Sequence, residues 1–92
     1  MVSHKGQRTT RHREVDYPHA VDIPIPGDGL GQNLNNIIAA ERTLPGGAES
    51  WGHMTKGPTG DPQRWCRVGT KLPADADRLA ALFTHLGAYR VR

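Results

Sequence analysis

Two segments of the chain repeat apolar residues at the helical period, and each does so along one face only. In the first, Leu30, Leu34, Ile37 and Ile38 fall at i, i+4, i+7 and i+8, while Gln32, Asn33, Asn35 and Asn36 face away. In the second, Leu79, Leu82, Phe83 and Leu86 fall at i, i+3, i+4 and i+7. A one-faced helix must lie on another layer, and the chain holds the material for a sheet. In HAVDIPIP, Val21, Ile23 and Ile25 alternate with Ala20, Asp22 and Pro24, the period of a half-buried strand. Pro24 cannot donate to a ladder, so that strand is expected to be short or partly at an edge. ESWGHMTK and QRWCRVGTK flank the turn cluster GPTGDP as the arms of a hairpin do. In the closing AYRVR, Tyr89 and Val91 alternate with Arg90 and Arg92.

The order is strand, helix, strand, strand, helix, strand. It resembles the ferredoxin-like plan, an α+β βαββαβ two-layer sandwich whose antiparallel sheet carries both helices on one face. The resemblance covers residues 18–92, read as a single α+β domain, and implies little about activity because the fold hosts many. The first helix is expected to start at an Asp28 N-cap and to end near Leu44, before PGG. Pro73, Asp75 and Asp77 suit the start of the second, and Gly87 its stop. Residues 1–17 show no periodicity and read as a basic, flexible N-terminal arm.

A chain of 92 residues is one domain at most, and burial of only about 60–65% of the unfolded surface makes its core thin. With two Trp, two Tyr and one Phe, each large apolar side chain is needed inside, so Trp51 is expected to be mostly buried. Residues 1–13 hold Lys5, Arg8, Arg11 and Arg13 and no acid, whereas nine Asp and Glu balance the other eight Lys and Arg. The basicity therefore belongs to the arm, where it can attract phosphates or an acidic surface. The lone Cys66 excludes an internal disulfide. No apolar run is long enough to span a bilayer or to form a secretory signal core. A cytoplasmic protein without a membrane contact is expected.

PGDGLG, between the first strand and the first helix, is the segment most like a phosphate loop. Gly27 and Gly29 fit the start of a dinucleotide pattern, but Gln32 stands where its third glycine belongs, and no Gly-Lys-Ser or Gly-Lys-Thr follows. Acylphosphatases, small enzymes with the same element order, need an arginine in this loop; here none occurs before Arg42. The loop reads as a corner. His4, His12 and His19 lack ligand spacing, and His85 is out of phase with Leu82 and Leu86. His53 and Cys66 meet only if the hairpin allows it, while Cys66 shares the phase of Val68 and reads as a core residue. No catalytic group, metal or cofactor is expected.

The binding expectation rests on the sheet. If Cys66 and Val68 face the helices, Trp65 and Arg67 face the other way. Trp65, Arg67, Arg90 and Arg92, aided by Lys5, Arg8, Arg11 and Arg13 of the arm, form the expected partner-binding surface. The hairpin register decides whether Trp51 and His53 join it: an even sum of paired residue numbers puts them there, an odd sum in the core. Exposed Trp and Arg are typical anchors of protein interfaces. In size and in its lack of catalytic groups the chain resembles, in build alone, the small inhibitors carried by phages and mobile elements, anti-CRISPR proteins among them. The leading expectation is a non-enzymatic protein that occupies a surface of a protein partner, as an inhibitor or regulator of a nucleic-acid-handling complex. The alternative is direct binding of RNA or single-stranded nucleic acid, Trp65 stacking on a base as in RNA-recognition domains and the arm holding phosphates. An open face on so small a domain also allows a homodimer.

Overall fold

The computed structural model describes residues 10–92. Its elements are α1 (Thr10–Asp16), β1 (His19–Pro24), α2 (Gln32–Glu41), β2 (Ala48–Lys56), β3 (Pro62–Thr70), α3 (Pro73–Leu82) and β4 (Tyr89–Arg90), with a single 3-10 turn at Thr84–Leu86. The strands form one four-stranded sheet in the order β2-β3-β1-β4, each neighbouring pair antiparallel. The result is a small α+β fold.

β1 lies between β3 and β4 rather than at an edge. Its proline is tolerated because the Ile25 N–H donates to the Arg64 carbonyl at 2.9 Å, so the preceding nitrogen points to the side where β4 pairs only with Val21 and Asp22. Val21 and Ile23 of β1 pair with Val68 and Cys66 of β3. They form the core with Ile37 of α2 and with Ala76, Leu79 and Phe83 of α3 and the turn after it. The expected half-buried alternation fails here, because Ala20 and Asp22, on the opposite face, are buried as well.

Both long helices form where their periodicity predicts, with displaced ends. α2 starts at Gln32, not behind Asp28: Gly31 takes the N-cap position at φ 56, a conformation that favours glycine, and no side chain caps the helix. Ile37 is buried, whereas Leu34 is 42% exposed, so the stripe only partly meets the sheet. In α3 the buried residues are Asp75, Ala76 and Leu79, and Leu82 turns outward. Asp75 is held inside because its Oδ2 accepts from the Gly46 N–H at 3.2 Å, tying the loop before β2 to the helix. Gly87 ends the segment at φ 92.

Within the stretch expected as the N-terminal arm, Thr10–Asp16 form the helix α1, while residues 1–9 lie outside the described part. A seven-residue helix is marginal alone in water. Arg13 in its last turn suits the helix dipole, and the contacts that hold it come from the sheet.

Candidate binding surface

The hairpin register has an even sum, pairing Trp51 with Arg67 and His53 with Trp65. Asp22, Trp51, His53, Trp65, Arg67 and Gly69 thus share the face turned away from α2 and α3. Trp51 is buried at 8% exposure, as the scarcity of aromatics demands, yet what buries it is not the helical layer. Its ring crosses Gly69, where an added Cβ would lie 2.9 Å from the indole and 2.7 Å from the Tyr17 Cβ. The Arg13 guanidinium sits 5.3 Å from the Trp51 ring centroid, and Arg13 Nε lies 3.3 Å from Glu49 Oε2. α1 and Tyr17 close this half of the face.

At the centre Arg67 does not project toward a partner. Its Nε donates to Asp22 Oδ1 at 2.7 Å and its Nη2 to Asp22 Oδ2 at 2.9 Å. Both side chains are largely buried, and the hydrogen bonds to the carboxylate raise the guanidinium pKa above its ordinary value. Such a bidentate pair is strong in geometry, and Arg67 neutralises a charge that β1 places inside. Trp65 stays half-buried beside it. Its Nε1–H donates to Thr55 Oγ1 at 2.9 Å, and its ring meets Tyr89 edge-on at 5.7 Å.

The remaining expected site residues are not brought together with Trp65. Arg90 pairs with Val21 in the sheet and therefore belongs to the helix side, where it forms an ion pair with Asp77 of α3 and donates to the Arg92 carbonyl. The two-residue β4 fixes this phase, opposite to the expected one. Arg92 Nη1 lies 3.1 Å from Glu14 Oε1, and its Nη2 donates to the Tyr17 carbonyl at 3.1 Å. Arg11 falls within α1, and Lys5 and Arg8 lie outside the described residues. Arg13, Arg67, Arg90 and Arg92 are all engaged by acids of the same chain.

A different surface lies on the hairpin. β2 and β3 pair from Ala48–Thr70 out to Lys56–Pro62, whereas β1 reaches only as far as Trp65. The distal half therefore projects as a two-stranded arm, and β2 is an edge strand. Between this arm and the start of α2 runs a groove of about 320 Å³ bounded by Ile25, Leu30, Leu34, Gly52, Arg64 and Cys66. It adjoins a depression of about 220 Å³ that shares Ile25, Gly52 and Arg64 and reaches Met54, which is 61% exposed. A third, at Met54, Lys56 and Pro62, continues to the tip. No Asp or Glu lines any of the three. Sequence reasoning missed Leu34, Gly52, Met54, Lys56 and Arg64; a glycine inside a strand pattern was the available signal.

Cys66 closes the groove from below. Burial, with the charges of Glu41 and Asp22 adding to it, pushes its thiol up to about 11, so it stands there as a neutral apolar group. His53 points to the opposite face and cannot meet it. Burial also raises the Glu41 carboxyl above its ordinary value of 4.5, opposed by a hydrogen bond from Ser50. Among the described residues no three His, Cys, Asp or Glu gather as metal ligands, and no helix is long and apolar enough to cross a membrane. Compared with family models, curated proteins and solved structures, the chain matches none.

Proposed function

We propose that this chain is a small non-enzymatic binding protein that occupies a surface of a protein partner and regulates it, and that its body has the ferredoxin-like arrangement. The strand order β2-β3-β1-β4 with antiparallel neighbours supports the architectural part. One observation carries the functional part. Arg13, Arg67, Arg90 and Arg92 are tied to Glu49, Asp22, Asp77 and Glu14, while Arg64 and Lys56 of the hairpin have no acid partner among the described residues and stand beside exposed apolar groups. Direct nucleic-acid binding through Trp65 and Arg67 would have to draw Arg67 away from a buried carboxylate, a costly exchange.

The partner class is a protein of a nucleic-acid-handling complex, and its test is affinity capture from a lysate of the cells that encode the chain, with and without nuclease. The expected result is the same protein partner in both arms. Loss of all capture after nuclease, together with oligonucleotide affinity that falls steeply with salt, would replace this reading by the nucleic-acid one.

A further inference from the structure

Gly52 stands in the middle of β2 without a local reason to be glycine. Its φ is not positive, and a Cβ built there would meet nothing within 4 Å. It opposes Cys66 on the helix side of the sheet, so the missing side chain opens the floor of the groove. A strand-interior glycine weakens its strand, and one use that offsets this is the close approach of another chain.

The walls say what kind of chain fits. Ile25 and Leu30 are partly buried against the core, and Leu34 leaves 42% of its surface in solvent at the rim. Met54, 61% exposed, extends this apolar track along the arm. Arg64 borders the first two depressions and Lys56 the third. Glu41 is hydrogen-bonded by Ser50 and is not among the residues that line the depressions. The track is apolar at its centre and cationic along its border. Its charge complement is an acidic segment that presents an apolar side chain.

We infer that the groove over Gly52 and Cys66 takes an apolar anchor side chain from an acidic peptide segment of the partner, with Arg64 and Lys56 contacting the acids that flank the anchor. This rests on the reading of the chain as a protein-binding protein. Anchors of this kind dominate interface energetics when they fill a desolvated pocket, and the flanking charges set selectivity and association rate.

The test selects a displayed library of short random peptides on the wild-type chain and measures the winners on Gly52→Val and Arg64→Glu. Gly52→Val fills the floor with a strand-favouring residue, so its melting temperature should be unchanged or higher. Expected are peptides with an apolar residue flanked by Asp or Glu, an affinity loss of about tenfold or more in Gly52→Val, and a preference for Lys or Arg flanks when selection is repeated on Arg64→Glu. Failure to enrich any peptide, winners without acids, or winners that bind Gly52→Val equally would each overturn the proposal. So would a dimer of the wild-type chain in sedimentation that Gly52→Val dissociates, because a second copy would then be the occupant. If a nuclease-resistant partner is captured equally by wild type, Gly52→Val and Arg64→Glu, the groove is wrong while the binding reading stands; if no partner is captured, the reading itself fails.

Discussion

The two faces of the sheet are both covered, but by unlike chemistry. On one, Ile37, Leu79 and Phe83 close over Val21, Ile23, Cys66 and Val68 with apolar contacts. On the other, a short helix and a chain of ion pairs, Arg67 to Asp22, Arg13 to Glu49 and Arg92 to Glu14, cover Trp51 and Gly69. The apolar face gains from area removed from water and tolerates salt. The polar face depends on each charge having its partner, so it ties up the cations that a surface reading would assign to binding.

Arg67→Met probes this contrast most strongly. It leaves Asp22 buried without a counter-charge, and chemical denaturation should register a loss of about 3–5 kcal/mol, largely recovered when Asp22→Leu is added. A loss under about 1 kcal/mol, the value of an exposed pair, would mean that the polar face is open to water. Leu79→Ala, on the apolar face, should lose about 2–5 kcal/mol through transfer and cavity terms, and here no second substitution of a charged partner should rescue it.

Arg13→Ala should cost less, about 0.5–1 kcal/mol, because only a partly exposed pair and the contact with Trp51 are lost. The difference between wild type and variant should shrink as salt is raised, and protease cleavage near α1 should become faster. The smallest effect concerns Glu41. Its folded pKa is raised above the ordinary 4.5, so the folded state holds the proton more tightly and stability falls as pH rises from about that value through the raised one. Glu41→Gln should flatten this slope in denaturation midpoints measured across that window; an unchanged slope would remove Glu41 as its cause.

The same contrast separates what was legible in the sequence from what was not. The hairpin could be read because Gly57, Pro58, Gly60 and Asp61 interrupt two strand-like runs, and α2 and α3 because their apolar residues keep the helical period. Those signals are local. The register was not legible, since a slip of one residue moves Trp51 to the other face and both faces here bury aromatic surface. α1 left no periodic trace: Val15, its apolar residue, is exposed, and the segment is held by Glu49 and Arg92, which are distant in sequence. The face of Arg90 was not legible for a related reason, because a two-residue strand takes its phase from pairing with Val21 and Asp22. The groove was not legible either, because Leu34 keeps the phase of a core residue in sequence and is exposed at the rim only by the short α2 and the overhanging hairpin.

We propose that partners are met on the hairpin side and not on the face that α1 closes. Hydrogen exchange of the chain, alone and with the nuclease-resistant partner bound, tests it most directly. Protection should increase over Ser50–Lys56 and over Gln63–Cys66, along the groove and the arm, with α1 and the residues around Asp22 and Tyr89 unchanged. Protection that appears instead over α1 and Tyr89, leaving the hairpin as it was, would contradict it.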